Sequence, residues 1–144
     1  MPNKDTRELL KECNSGSKMA VDAIDEILPH VRDKRMSRIM TESRRRHEAL
    51  GDKLHRQLSH SGQQTEDPPM MATAMSHLQI GVKMALDPTD HQAASLLLDG
   101  CNMGVKTISQ QLNRYPAASE EARTAAAELV DIEQRLADDM KQFL

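Results

Sequence analysis

The sequence predicts an all-α, up-and-down four-helix bundle in a single domain spanning residues 1–144, on three observations. Four long segments carry apolar residues every three or four positions, the spacing of one helix face. The breaks between them are short or rich in Pro, Gly and Ser. One helical hairpin is written twice. A chain of 144 residues is long enough to bury a continuous core without disulfides or metal.

The first helix is expected to begin at Asp5, whose carboxylate can accept from the free N–H groups while Glu8 reaches back. It ends near Pro29, with Leu9, Cys13, Gly16, Ala20, Ala23 or Ile24, and Ile27 along one stripe. A second helix follows within a few residues, from about Asp33 to Leu58. Its stripe is Met36, Met40, Ser43, His47, Leu50, Leu54 and Leu58. So short a connection implies antiparallel neighbours.

Residues 59 to 69 are rich in Ser, Gly, Gln and Pro and read as a surface loop. A shorter helix is expected from about Pro69 to Leu86, with Met71, Met75, Leu78, Val82 and Ala85 on one stripe. Asp87-Pro88 ends it, and Asp87, or Thr89 with Gln92, caps the next helix. That helix carries Ala93, Leu97, Gly100, Gly104, Ile108 and Leu112. Ser119 caps the last one, Glu120 and Glu121 sit at the positive end of its dipole, and its stripe runs Ala122, Ala125, Leu129, Ile132, Leu136, Met140 and Phe143.

The repeat decides the architecture. Gly16, Met19, Ala20, Val21, Ile24 and Leu28 align with Gly100, Met103, Gly104, Val105, Ile108 and Leu112 at a constant offset of 84. The second helix aligns with the last at an offset two residues longer, pairing Glu42 with Glu128, Leu50 with Leu136 and Leu54 with Met140. Two hairpins, about 5–58 and 89–144, should therefore pack about a pseudo-two-fold axis, linked by a crossover at about 59–88.

Two repeated hairpins with a long crossover resemble a ferritin-like domain over nearly the whole chain. The stretches from Lys18 to Pro29 and from Asn102 to Val105 are similar to small bacterial ferritin-like proteins of the kind found in Firmicutes. That family carries no assigned activity, so the resemblance implies a fold and no reaction.

A di-iron centre of the ferritin kind takes a Glu from each of two helices and a Glu-x-x-His pair from each of the other two. Here Gly16, Ala20, Gly100 and Gly104 hold the inward positions of two helices, Arg44 stands three residues before His47, and Leu136 three residues after Glu133. Every register is broken, and no cofactor is expected. His47 is the one histidine on a core stripe, and its repeat counterpart is Glu133. The two are the only candidates for a residual metal or proton site, set against the plainer reading of a core histidine bonded near Ser43. His30, His55, His60, His77 and His91 read as surface or loop residues.

Composition narrows the function. Nineteen Lys and Arg against 22 Asp and Glu give a net charge of -3, with no general attraction to nucleic acid or an anionic membrane. The run Lys34, Arg35, Arg38, Arg44, Arg45, Arg46 and Arg56 spreads around its helix and is diluted by Glu42 and Glu48, so it reads as a solvated face. Tyr115 and Phe143 are the only aromatic residues, which disfavours an aromatic-lined pocket. Cys13 and Cys101 inside helices, with no apolar leader at the start, point to the cytoplasm. Lys83, Asp87 and Asp99 interrupt the most apolar region, so no membrane span is expected. Met70, Met71, Met75 and Met84 could bind Cu(I), but thioethers serve more often as adaptable core filler or contact surface. The reading is a non-enzymatic bundle acting through protein contacts, with a homodimer through Met71, Met75, Leu78 and Val82 as one form of it. The alternative is a ferritin-like metal or redox protein with a reduced site at His47 and Glu133.

Overall fold

The computed structural model describes residues 2–60 and 79–144. Helix α1 (Lys4–Ile27) runs into a 3-10 turn (Leu28–His30), and α2 (Lys34–His60) returns beside it. A short helix, α3, covers residues 79–86. Then α4 (Asp90–Arg114) and α5 (Glu120–Met140) form the second hairpin, closed by a 3-10 turn (Lys141–Phe143). Each long helix packs most closely on its hairpin partner. The hairpins meet through α1 on α4 and α2 on α5, and α1 also touches α5 across the diagonal. This is the expected up-and-down four-helix bundle with a short extra helix in its crossover.

Burial follows the repeat more faithfully than the amino acids do. At the 84-residue offset Leu9, Leu10, Cys13, Ser17 and Ile24 match Ala93, Ala94, Leu97, Cys101 and Ile108, all buried. Met36, Met40, Ser43, His47 and Leu50 likewise match buried Ala122, Ala126, Leu129, Glu133 and Leu136. Even the joints repeat. The Asp33 and Ser119 side chains accept from the backbone N–H of Met36 and Ala122 at 2.9 and 3.2 Å, capping α2 and α5. Thr6 Oγ1 accepts from the N–H of Ser119 at 2.8 Å, and at the equivalent place Asp90 accepts from the N–H groups of Arg32 and Asp33 at 2.8 and 2.9 Å. Each hairpin thus holds the other's loop by the first turn of a helix.

The start of α1 differs from expectation. Asn3, not Asp5, is the N-cap, accepting from the N–H of Thr6 at 2.8 Å. Asp5 lies inside the first turn, where its carboxylate takes the N–H of Ala117 at 2.9 Å. An acidic residue suits either place, since both present unpaired N–H groups. Thr89, the second of the two caps considered for α4, is the one used, accepting from Gln92 N–H at 3.1 Å.

The short helix also turns a different face inward. Met84 is fully buried and Ile80 packs beside it, whereas Val82 is 49 % exposed and Leu86 81 %. The expected stripe through Val82 and Ala85 therefore faces outward. Met71, Met75 and Leu78 lie outside the described residues.

The core is divided in two. One cluster, built on Leu9, Leu54, Leu58, Ala122 and Leu129, fills the end where α1 starts. The other, built on Ile24, Ile27, Met36, Met40, Met84 and Met140, fills the opposite end. Between them lies a waist of small and polar residues. No helix of the described residues is long and apolar enough to cross a membrane.

Candidate functional site

His47 comes from the core stripe of α2 and Glu133 from that of α5, 86 residues apart. Residues related by a two-fold axis touch only where they lie on it, and these two do. His47 Nε2 is 3.2 Å from Glu133 Oε1, with the imidazole fully buried and the carboxylate side chain 9 % exposed. His47 Nδ1 lies 2.8 Å from the Ser43 carbonyl oxygen, one helical turn back, and 3.4 Å from Ser43 Oγ. A carbonyl only accepts, so Nδ1 carries a proton and donates it. Nε2 and Oε1 then share one further proton, whichever atom holds it. His47 thus meets Glu133 and is also hydrogen bonded at Ser43.

Beside this pair the bundle is open. A cleft of about 460 Å³ lies between α1 and α4, lined by Gly16, Ala20, Ala23 and Ile24 on one side and Leu97, Gly100, Gly104 and Ile108 on the other. Leu129, Glu133 and Leu136 of α5 also line it, as do Gln79, Ile80 and Lys83 of α3. Met19 and Met103, equivalent in the repeat and 39 % and 62 % exposed, are among its residues too. The repeated small residues create this space. A Cβ on Gly100 would meet nothing within 4 Å, and one on Gly16 would only touch Leu129 and Ile108 at 3.5 and 3.7 Å. Gly104 is different. A Cβ there would lie 3.2 Å from Cδ and 3.3 Å from Oε1 of Glu133, so this glycine leaves room for the carboxylate.

These contacts predict opposite outcomes for one substitution. Gly100→Ala should raise stability by about 0.5–1 kcal/mol, because alanine removes backbone freedom from the unfolded chain and meets open space. Gly104→Ala should lose that gain and destabilise, because Glu133 must shift from His47. Urea unfolding midpoints of the two variants decide it; equal shifts would contradict the close approach at Gly104.

Cys101 borders the cleft and its thiol hydrogen bonds to Glu133, while Cys13 lies in the core cluster at the end where α1 starts. Burial, and secondarily the neighbouring Glu12, pushes the Cys13 thiol up to about 12. Burial, then Glu133, raises that of Cys101 as well. Neither is a nucleophile at neutral pH. The sign of the linkage follows: the folded state keeps both thiols neutral while the unfolded chain ionises them near 9.0. Their contribution to stability is therefore whole below pH 9 and falls as pH rises from there toward 12. Iodoacetamide at pH 8.5 should label both cysteines in urea and neither in the native protein; rapid native labelling would contradict the burial.

On α2 the three consecutive arginines are paired in place. Arg44 Nε lies 2.6 Å from Asp25 Oδ1 and its Nη1 3.0 Å from Glu48, while Arg45 and Arg46 both bond Glu42. Those two guanidinium hydrogen bonds, Arg45 first, hold the exposed Glu42 carboxyl down at about 2. The solvated face expected from the sequence is present, with Asp25 of α1 as an added partner. His30, His55, His60 and His91 are exposed as expected, and His77 lies outside the described residues.

A ferritin-type di-metal centre does not fit this waist. Gly16, Ala20, Gly100 and Gly104 offer no ligand atoms, and among the described residues no three His, Cys, Asp or Glu side chains form a metal-binding group. Both nitrogens of His47 are already engaged. Sequence reasoning missed the cleft itself, although its signal was present: small residues at matching positions of both repeats. No protein-family model, curated protein or solved structure matches the chain.

Proposed function

We propose that this protein is a binding bundle that captures a small aliphatic molecule in the α1–α4 cleft and performs no reaction on it. One observation carries the reading: the cleft is of ligand-pocket size, lined mostly by apolar residues, and bordered by small residues at equivalent positions in both repeats. Core packing normally leaves few voids larger than a water molecule. In this reading the chain is a ferritin-like bundle whose ligand positions are held by glycine and alanine, with Glu133 the charged group left at the centre. The Cys101 thiol is buried and protonated and both nitrogens of His47 are bonded, so neither is free to act as a nucleophile there.

The test uses a hydrocarbon without a head group. Saturating hexane should raise the unfolding temperature of the wild type, and should do nothing for Gly16→Leu, whose side chain would start from a Cβ facing the lining residues Leu129 and Ile108. A rise of the same size in both, or in neither, would remove the reading.

Self-association is a second reading, favoured by Val82 and Leu86, which expose apolar side chains on the outer face of α3. A dimer in light scattering that Leu86→Glu dissociates would support it.

A further inference from the structure

We infer that the molecule taken into the cleft carries a primary ammonium head, received by the Glu133 carboxylate. The inference rests on the proposed binding function and adds the ligand's chemistry.

Glu133 is the polar group best placed for a head. Its residue is 6 % exposed, it borders the cleft, and the missing side chain of Gly104 lets its carboxylate lie against that wall. His47 is fully buried and hydrogen bonds to the carboxylate, holding it, so an entering head reaches Glu133 and not the imidazole. A carboxylate offers about four acceptor positions. The proton shared with His47 takes one and the Cys101 thiol, a weak donor, another. The remaining positions suit a group with several N–H donors, and an ammonium has three. Charge agrees, since among the described residues the charged side chains lining the cleft are Glu12, Asp99 and Glu133 against Lys83. A carboxylate head has no N–H to offer the Glu133 oxygens and would set like charge beside them, which is disfavoured. Most of the residues lining the cleft are aliphatic or glycine, so a chain of methylenes can lie along them while the head is bound.

The experiment compares octylammonium, octanoate and hexane at neutral pH, with the surfactants below their micelle concentrations and binding followed by amide chemical shifts. Octylammonium should bind at least tenfold more tightly than octanoate, with the largest shifts at Gly104 and Glu133. Glu133→Gln should abolish that preference and still take hexane, because a glutamine amide can donate to His47 Nε2 and keep the waist closed. Equal binding of the two head groups would overturn the inference, as would a preference that survives Glu133→Gln or that disappears in Asp99→Asn instead. Should Glu133→Gln fail to fold by circular dichroism, the wild-type comparison with Asp99→Asn decides alone. Failure of hexane to bind would count against the cleft itself; hexane binding with no head-group preference would count only against the ammonium.

Discussion

Replacing His47 by alanine should lower the unfolding free energy by about 3 kcal/mol, the lower end of the cost of breaking a buried polar or ionic pair. The loss arises less from the missing contact than from what remains. Glu133 would keep its place beside Gly104 with no imidazole to share its proton, and an unpaired carboxylate in low dielectric is expensive. The cleft sets the magnitude, because water can enter it and solvate the stranded group, which keeps the loss from the top of the range. Replacing both residues by leucine should return the protein to within about 1 kcal/mol of the wild type, since a hydrophobic pair of similar volume strands no charge. A double-mutant cycle in urea reads both numbers. With His47→Leu and Glu133→Leu completing the cycle, a double-mutant loss equal to the sum of the two single losses would mean that the two side chains do not act as a pair.

Leu54→Ala should cost about 2–5 kcal/mol. Leu54 is fully buried in the cluster with Leu9, Leu50, Leu58, Ala122 and Leu129, and does not itself line the cleft. The neighbouring positions of α5 are already alanines (Ala122, Ala125 and Ala126), so they cannot extend to fill the space left behind. Leu86→Ala is the matched control: at 81 % exposure it should change stability by no more than about 0.5 kcal/mol. Thermal or urea unfolding of the two variants separates them. Similar losses would mean that α3 packs where it is now exposed.

The architecture was legible because it depends on periodicity, and the repeat reinforced every period. Where Leu9 becomes Ala93, or Met36 becomes Ala122, residue type changes but burial does not, so two weak patterns read together gave one bundle. The His47 and Glu133 pair was also legible, since an aligned repeat brings equivalent residues to its axis. What sequence could not supply was depth. Gly16, Ala20, Gly100 and Gly104 read as inward positions without a ligand atom; Gly104 proves to be a place of close approach, whereas Gly100 faces open space. A glycine is silent about which, because the answer lies in the separation of α1 and α4. The buried Asn14 and Ser17 were missed for a related reason: they fall beside the apolar stripe of α1, and Ser17 Oγ would lie 3.2 Å from a Cβ on Gly51, where α1 and α2 approach closely. The short helix misled the reading in the opposite way. Methionine, valine and alanine recurred at helical spacing, but Ile80 and Met84 set the inward face of its described part.

The most direct measurement is an isotope-edited NMR spectrum of the wild type with saturating octylammonium, read for contacts between its methylene protons and the protein. The structure predicts contacts to Gly16, Ala20, Gly100, Ile108 and Leu129 along the cleft, with the amine end nearest Gly104. Contacts confined to Val82 and Leu86 on the outer face of α3, with none to the glycines, would contradict it.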